Sequence, residues 1–487
     1  MSNDPYILIT ADTHAGGSHA QYREYLEPGY RDAFDEWRGG YRNPSQAHYG
    51  TKKLRNWDLE VRTTDQNSQG VVGEVVYPNT VPPFFSKSIV TAQPPRPENF
   101  ERALAGIRAH NRWLKDFCAE DPDRRAGVGL ILPNDIDEAI KDVQWIAEAG
   151  LRGGVLLPLV PEDCTWLKPL YHRDWEPLYA AIQDCDLVMN QHSGQGLPDY
   201  GSGPVAEALW ISEVPFYCKR GYSHLLMSGV FERFPRLQYI LTESGCSWAP
   251  AMLQSLDNIH YGILAGAIGE MDYSTMDWVL KEPPSFYARR NCYYGASFPS
   301  LAELDGRHEV GLEQILWGND YPHYEGTFPY NLESLQLTFG GIPERERRMI
   351  LGENAAKLYK FDLDKLRPLA ARHGPTPEQV DTPLASIPTD SGCYLFQNAL
   401  RAQKYRVGVR GWCEGLVQTL GSWRTFHSTA AESMMTRPSM ATRASCKGLI
   451  SKSGMNCNSS VAPIAGATIA INRLKRDCPS RPRPMIR

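Results

Sequence analysis

Four short apolar segments of this chain, far apart in sequence, each run directly into a side chain that can bind a metal ion. The residues that follow these segments are Asp12 with His14, His192, Glu243 and Asp320. Apolar segments that repeatedly end in imidazole or carboxylate are typical of a (β/α)8 barrel, whose active site collects at the C-terminal rim of the strands. The pattern therefore predicts an α/β fold, a (β/α)8 TIM barrel, with a metal-binding site at one end.

Signals for strand and helix alternate along the first three quarters of the chain. Most candidate strands are continuous apolar runs, as expected when both faces of a parallel sheet are covered. The eight candidates span residues 6–11, 71–77, 126–132, 154–157, 187–191, 237–242, 291–295 and 315–318. Helices are predicted at 100–120 and at 135–150, because apolar residues recur there with helical spacing before a stop signal. Strand and helix therefore follow each other as a barrel requires.

The length of 487 residues exceeds the roughly 250 residues of a simple barrel. We predict a metal-dependent barrel at 1–361, a Pro-rich extension or linker at 362–388 and a basic, poorly ordered tail at 389–487. The connections after the first and fifth strands, 16–70 and 193–235, are long. Long loops after barrel strands usually form the walls of the active site, so substrate specificity is expected there.

The predicted tail differs from the body in charge. Residues 389–487 contain 15 Lys and Arg against 4 Asp and Glu, whereas the rest of the chain contains 36 against 52. The tail also carries five of the eleven cysteines and lacks a recognisable nucleic-acid motif. Three interpretations remain: a segment not selected with the body, such as out-of-frame or read-through sequence, a basic interaction tail, or a small folded domain.

Other global features favour a soluble cytoplasmic protein. The first six residues lack the basic and apolar regions of a signal peptide, and no apolar run approaches the roughly 20 residues of a membrane span. The cysteines form no CxxC pair, which favours free thiols. We expect a small-molecule substrate and neither a nucleic-acid nor a membrane partner, and a homo-oligomer remains open.

Two carboxylates and two imidazoles stand at three of the predicted strand ends. Asp12 and His14 are two residues apart, so both side chains can point into the barrel mouth. Alone, His192 could be a core histidine and Asp320 a helix cap. Their coincidence at strands one, five and eight instead favours one shared cation. We predict that Asp12, His14, His192 and Asp320 bind a divalent metal ion, with Zn²⁺ favoured and Mn²⁺ or Fe²⁺ acceptable.

Five motifs in a fixed order give the chain a resemblance to a known family. They are Ala11-Asp12-Thr13-His14, Phe231-Glu232-Arg233-Phe234-Pro235, Glu243-Ser244-Gly245 with Trp248, Trp317-Gly318-Asn319-Asp320-Tyr321-Pro322-His323, and Glu353-Asn354-Ala355-Ala356. On these motifs, residues 5–360 resemble the amidohydrolase-related family often called amidohydrolase 2, which includes aminocarboxymuconate semialdehyde decarboxylase. By that resemblance, Asp12 and His14 match the family's first metal pair. His192 and Asp320 match its ligands on the fifth and eighth strands.

Two positions depart from the pattern of that family. The first motif is Asp-x-His where many members have His-x-His, which makes the site more anionic. Glu243 stands where decarboxylating relatives typically present a histidine that acts on the substrate. A glutamate there could bind metal, act as a base or orient the nucleophile, but it cannot simply take over the role of the histidine.

These observations predict an amidohydrolase-related enzyme. The first expectation is hydrolysis of an amide, ester or lactone by metal-activated water, with Asp320 as base and His192 or Glu243 stabilising the developing charge. His323 could reach the substrate or support the site. The alternative is a nonoxidative, metal-dependent decarboxylase of an aromatic or unsaturated carboxylic acid, and a third hypothesis is a catalytically silent barrel. The sequence contains no nucleophile elbow and no Walker-type phosphate loop, which disfavours serine hydrolase and nucleotide chemistry.

Overall fold

Eight parallel strands form the centre of the molecule. The structure is a computed structural model, and it describes residues 4–42 and 50–403. The barrel strands are β1 (Leu8–Ala15), β2 (Val71–Pro78), β3 (Arg125–Leu130), β4 (Gly154–Leu156), β5 (Val188–His192), β6 (Gln238–Thr242), β9 (Cys292–Ser297) and β10 (Ile315–Gly318). They are hydrogen-bonded in that order. A separate antiparallel hairpin consists of β7 (Ala267–Ile268) and β8 (Met271–Asp272).

The barrel closes where the chain after β10 meets β1. The N–H of Asp320 donates to the carbonyl of Asp12 at 2.9 Å, and the N–H of His14 donates to the carbonyl of Tyr321 at 2.7 Å. Thr13 and Tyr321 accordingly form a parallel bridge. The predicted (β/α)8 TIM barrel is confirmed, with its first and last strands joined at the end that carries the acidic residues.

Helices connect successive strands and surround the barrel. The α-helices are His19–Tyr25, Arg31–Gly40, Leu59–Ser68, Phe100–Ala119, Ile136–Glu148, Glu176–Asp184, Pro204–Met227, Val230–Arg233, Ala249–Leu264, Pro284–Asn291, Leu301–Asp305, Arg307–Val310, Asn331–Phe339, Glu344–Arg348, Asn354–Tyr359, Leu363–His373 and Pro377–Asp381. Short 3-10 helices cover Pro28–Tyr30, Gly50–Asn56, Pro97–Asn99, Arg173–Trp175 and Leu312–Gln314, and a short π-helix covers Met349–Glu353. Both long connections predicted as loops contain helices.

Alternate residues of the strands pack into different apolar clusters. Leu8 joins the larger cluster and Ile9 the smaller, and the same division separates Leu241 from Ile240 and Trp317 from Leu316. This alternation is the period of two that a strand imposes on its side chains. Because both faces of the barrel wall are apolar, the sequence shows continuous apolar runs. The eight predicted strands are all present, with ends shifted by up to four residues.

Residues beyond the barrel pack against it as far as the structure describes them. The N–H of Tyr6 donates to the carbonyl of Pro375 at 2.9 Å, inside the Pro-rich segment. Residues 394–403 are helical, and Cys393 and Phe396 are fully buried. The remainder of the predicted basic tail, 404–487, lies outside the described residues.

Two further observations on the described residues concern the cysteines and the length of apolar helices. Seven cysteines fall within it, and all seven are free thiols. Within residues 4–42 and 50–403, no helix combines the length and the apolar character that crossing a bilayer requires.

Candidate metal centre

The four side chains predicted as metal ligands meet at the C-terminal end of the barrel strands. Nε2 of His14 lies 3.4 Å from Oδ1 of Asp12 and 3.3 Å from Oδ1 of Asp320. Nε2 of His192 lies 3.4 Å from the same oxygen of Asp12. All four side chains are at most 2% exposed. Residues more than 300 positions apart in sequence are therefore brought into direct contact.

Contacts between β1 and the chain after β10 fix the positions of Asp12 and Asp320. A register irregularity in β1 falls between Thr10 and Thr13, next to Asp12. There the N–H of Asn319 donates to Oγ1 of Thr10 at 3.0 Å, which aligns β1 with the chain after β10. Irregularities of this kind often re-aim side chains beside active sites. Asp12 and Asp320 therefore face the same space from neighbouring strands.

Hydrogen bonds at the far side of each imidazole set its tautomer. Nδ1 of His14 donates to the carbonyl of Pro78 at 3.1 Å, and Nδ1 of His192 donates to the carbonyl of Ser193 at 2.9 Å. A neutral imidazole that donates through Nδ1 carries its lone pair on Nε2. Both lone pairs therefore point toward the carboxylates, which is the arrangement that metal-binding histidines require.

Unsatisfied polar atoms test whether this arrangement fits a cation. Nε2 of His14 and Oδ2 of Asp320 are buried without a hydrogen-bond partner. Leaving such groups buried and unpaired costs about 1–3 kcal/mol each. Ligands about 2.1 Å from a tetrahedral ion lie roughly 3.4 Å from each other. The three contacts given above, at 3.3–3.4 Å, match that separation. The donor set of two carboxylates and two imidazoles thus fits a divalent metal ion.

The same contacts shift the pKa values of the cluster. Burial would raise the pKa of Asp12, but hydrogen bonds and charge from His14 and His192 lower it below its usual range. Burial would lower the pKa of His192, but Asp12 and Glu243 raise it instead. Acidic and basic groups therefore favour each other's charged forms when no cation is bound.

His323, predicted as a catalytic residue, lies beside the four ligands. Its ring stacks on that of His14 with centroids 4.1 Å apart, and its Nδ1 lies 2.8 Å from Oδ1 of Asp320. Its Nε2 lies 3.3 Å from Oδ1 of Asn79. Burial would lower the pKa of His323, but the charge of Asp320 and its hydrogen bond raise it to about 9. His323 thus has an acceptor at each ring nitrogen and is stabilised as imidazolium.

Glu243, also predicted as a catalytic residue, approaches the cluster from β6. Its Oε2 lies 3.6 Å from Nδ1 of His192, and its side chain is 21% exposed. Burial, followed by the nearby charge of Asp320, raises its pKa well above the usual range. Glu243 and Asp320 both have a φ of 55°, the left-handed region that ordinary side chains rarely adopt. Such conformations concentrate at functional sites.

Three residues at the site escaped the sequence prediction. The hydroxyl of Ser297 donates to Oδ2 of Asp12 at 2.5 Å, and the ring of Tyr77 lies 5.0 Å from that of His192. One oxygen of Glu325 lies within 4.8 Å of ligand atoms of Glu243 and Asp320. Ser297 ends strand β9 and Tyr77 is the second-last residue of β2, so both could have been noticed from their places at strand ends. No sequence signal pointed to Glu325, which lies in a loop.

Comparisons with known proteins agree with this fold. The amidohydrolase family model matches residues 77–361. A 5-carboxyvanillate decarboxylase from Novosphingobium aromaticivorans, crystallised with manganese and 4-hydroxy-3-methoxy-5-nitrobenzoic acid, is 20% identical with a TM-score of 0.54, over 74% of this chain and 99% of that one. A dihydroxybenzoic acid decarboxylase from Polaromonas sp., crystallised with manganese and 2-nitroresorcinol, is 18% identical with a TM-score of 0.51, over 73% and 97%. An amidohydrolase from Mycobacterium avium subsp. paratuberculosis is 16% identical with a TM-score of 0.55, over 73% and 99%.

Proposed function

The chain belongs to the amidohydrolase family, and from that premise we propose that it removes carbon dioxide nonoxidatively from an aromatic carboxylic acid with the help of a divalent metal ion. The observation that carries this proposal is the buried cluster in which His14 contacts both Asp12 and Asp320 and His192 contacts Asp12. It is set in a barrel like those of two aromatic-acid decarboxylases. This choice places decarboxylation ahead of the hydrolysis that the sequence favoured first. Both of those decarboxylases were crystallised with manganese, so Mn²⁺ stands beside Zn²⁺ as a candidate.

The four clustered residues would hold the cation, and neighbouring groups orient three of them. When bound, the ion would supply a Lewis acid that orients substrate oxygens and stabilises negative charge. Asp12 contributes a carboxylate held in place by Ser297. His14 and His192 contribute Nε2 lone pairs fixed by backbone carbonyls.

Loss of carbon dioxide requires a proton at the carbon that it leaves. The carbon–carbon bond breaks with its electron pair remaining on the ring carbon, and a proton then replaces the carboxyl group. His323 and Asp320, 2.8 Å apart, hold a proton beside the metal-binding residues. We assign this pair as the proton source, since general acids act within hydrogen-bond reach of the reacting atom.

A cavity is lined mainly by the segment between β2 and β3 and by the long connection after β5, with one residue from the connection after β1. Its volume is about 630 Å³, which is enough for an aromatic acid. Trp37 contributes to it from the first connection, Trp210 from the second, and Lys87 and Arg102 from the segment between β2 and β3. None of the four proposed ligands lines it, so we assign it to substrate entry and selection rather than to the chemistry.

The reaction can be tested directly with metal-loaded protein. We expect that incubation with 5-carboxyvanillate, 2,6-dihydroxybenzoate and related aromatic acids releases carbon dioxide while every other substrate atom is retained. In D₂O the product would carry one deuterium at the carbon that lost the carboxyl group. Turnover of amides, esters or lactones, with no carbon dioxide from any acid tested, would replace this proposal with hydrolysis.

Hydrolysis remains the second candidate because of one residue. Glu243 presents a carboxylate at the end of β6, 3.6 Å from His192, where the resemblance leads us to expect a substrate-directed histidine. Together with Asp320, whose Oδ2 has no hydrogen-bond partner, it offers a base for activating water. Incorporation of ¹⁸O from labelled water into the product would favour this candidate.

A further inference from the structure

A short stretch of the chain beyond the barrel packs against the loop that carries His323. We call residues 390–396 the C-terminal strap. Its last three residues begin a helix that continues to residue 403. The strap lies outside residues 77–361, the part of the chain that the family model matches. The matched region of the family therefore does not account for it.

The strap contacts the loop after β10 at two points. The hydroxyl of Tyr330 donates to the carboxylate of Asp390, with oxygen–oxygen distances of 2.7 and 2.9 Å. A Cβ at Gly392 would lie 2.2 Å from two ring carbons of Tyr324 and 2.6 Å from the carbonyl oxygen of the same residue. Only glycine permits so close an approach. Tyr324 directly follows His323, so this contact bears on the neighbour of the proposed proton source.

The strap also contacts the residue that follows β9. Its buried apolar cluster consists of Cys393, Leu395 and Phe396, and Phe298 packs against this cluster. Phe298 directly follows Ser297, the hydrogen-bond donor to a proposed metal ligand. With a φ of 39°, Phe298 adopts a left-handed backbone conformation, which persists only when the surrounding structure holds it. The strap therefore packs on residues that adjoin the site from both β9 and β10.

The charges that act on Cys393 place the strap close to the candidate metal centre. The side chain of Cys393 is fully buried. Burial raises the pKa of its thiol to about 11, and the negative charges of Asp320 and Glu325 add to that rise. Because the interaction between two charges weakens with distance, a thiol that responds to both carboxylates lies near them. The strap thus borders the site.

We propose that Asp390 and Gly392 are positioning residues for the proposed proton source. They hold Tyr330 and Tyr324, and so fix the loop in which His323 lies. Displacing a reacting group by about 1 Å can cost about 100-fold in rate, even when the cause lies outside the site. The inference rests on the proposed function for the role of His323, whereas the contact between strap and loop depends on no reaction.

Gly392→Ala tests this proposal, because the added methyl group has no room beside Tyr324. Gly29→Ala is the matched control, since nothing lies within 4 Å of the Cβ position there. We expect Gly392→Ala to lower kcat on an aromatic acid by about 10–100-fold, with KM and the number of bound Mn²⁺ ions unchanged. The control should match the wild type in all three quantities. A lower melting temperature with wild-type kcat would show a purely structural role and overturn the proposal.

Amide hydrogen exchange of residues 321–330 measures the same contact without any substrate. We expect faster exchange in Gly392→Ala than in the wild type and in Gly29→Ala, because the loop opens more often when the strap no longer fits against it. Equal exchange with equal kcat overturns the proposal and leaves the proposed function standing. If the wild type releases no carbon dioxide from any acid, the proposed function fails, and the role assigned to the strap in that reaction fails with it.

A second variant keeps the proposal testable if Gly392→Ala does not fold. Tyr330→Phe removes only the hydroxyl that donates to Asp390 and leaves the aromatic ring. We expect a smaller loss of kcat than in Gly392→Ala, again with unchanged KM and metal content and with faster exchange of residues 321–330. Wild-type kcat in Tyr330→Phe would overturn the positioning role.

Discussion

Ser297 donates its hydroxyl hydrogen to Oδ2 of Asp12 at 2.5 Å, across the 285 residues that separate them in sequence. The bond occupies one carboxylate oxygen and leaves the other, Oδ1, 3.4 Å from both His14 and His192. Ser297 ends β9 and is itself 8% exposed, so its position is set by the barrel wall. The hydrogen bond from Ser297 to Oδ2 therefore leaves Oδ1 as the oxygen of Asp12 that is available to an ion.

Replacing Ser297 with alanine should weaken metal binding without unfolding the protein. Loss of a hydrogen bond to a metal ligand typically costs about 10–100-fold in affinity, because the ligand is no longer held in one orientation. Competition with a chelator of known affinity measures the change. Ser68→Ala, at an exposed helix end, is the control and should bind metal like the wild type. Equal affinity in Ser297→Ala would show that the bond does not orient Asp12.

Removing one proposed ligand should abolish the stabilisation that metal provides. Ligand at 100 times its dissociation constant stabilises the folded state by about 2.7 kcal/mol. We expect added Mn²⁺ or Zn²⁺ to raise the melting temperature of the wild type and of Asp305→Asn, whose carboxylate is exposed. Asp320→Asn and His192→Ala should keep their circular dichroism spectra and show no metal-induced shift. A retained shift in both variants would place the ion elsewhere.

The sequence predicted the strands and most of the cluster because both leave local signals. Strands buried on both faces appear as apolar runs, and ligands at the same end of such runs must converge when a barrel forms. Ser297 was missed because the predicted seventh strand stopped at residue 295, two residues short of the observed end.

Glu325 could not be predicted because its position depends on tertiary contacts. The loop after Asp320 folds back so that the N–H of Thr327 reaches the carbonyl of Asn319 at 3.1 Å. A Cβ on Gly326 would lie 2.6 Å from that same carbonyl oxygen, so only glycine permits the close approach. This return brings Glu325 towards Asp320. The local sequence of the loop does not indicate where Glu325 lies relative to Asp320.

The buried ion pair between Glu74 and Arg62 should control the stability of the protein in acid. Nη2 of Arg62 lies 2.7 Å from Oε2 of Glu74, and Nη1 donates to the carbonyl of His14 at 2.8 Å. Burial would raise the pKa of Glu74, but Arg62, followed by Arg125 and Arg124, lowers it to about 2. Because the folded-state pKa is depressed, this stabilisation is complete above about 4.5, the ordinary pKa, and is lost as pH falls toward 2.

Glu74→Gln tests that linkage. The variant leaves Arg62 buried without its counter-charge, which should lower the free energy of unfolding by about 3–5 kcal/mol at neutral pH. Its stability should also depend less on pH between 4.5 and 2 than that of the wild type. Denaturant unfolding at several pH values measures both effects. Glu313→Gln, which removes one partner of an exposed ion pair, is the control and should unfold like the wild type. If the stability of Glu74→Gln fell as steeply with pH between 4.5 and 2 as that of the wild type, Glu74 would not be the source of the acid sensitivity.

His323→Gln should slow the reaction more than it weakens metal binding. The variant removes the imidazolium next to Asp320 but leaves the four proposed ligands in place. Loss of a general acid typically lowers kcat by about 10²–10⁴-fold. Kinetics on an aromatic acid, with metal content measured on the same preparation, separate the two effects. His308→Gln is the control, because the side chain of His308 is 61% exposed. A kcat of His323→Gln equal to that of the wild type would exclude His323 as the proton source.

Two truncations should separate the part of the C-terminal segment that the fold needs from the rest. Cys393 and Phe396 are fully buried, packed with Leu395 against partly buried residues that include Tyr330 and Leu337. Loss of one such aromatic side chain costs about 3–5 kcal/mol. We therefore expect the chain ending at residue 388 to melt well below the full-length protein.

The chain ending at residue 403 keeps this cluster, and it should match the full-length protein in melting temperature and metal content. That result would agree with the interpretation that most of the basic tail was not selected with the body. If this longer chain loses stability or activity, residues 404–487 belong to the working protein. Equal melting temperatures for the two truncations would show that the cluster around Phe396 contributes little, contrary to its complete burial.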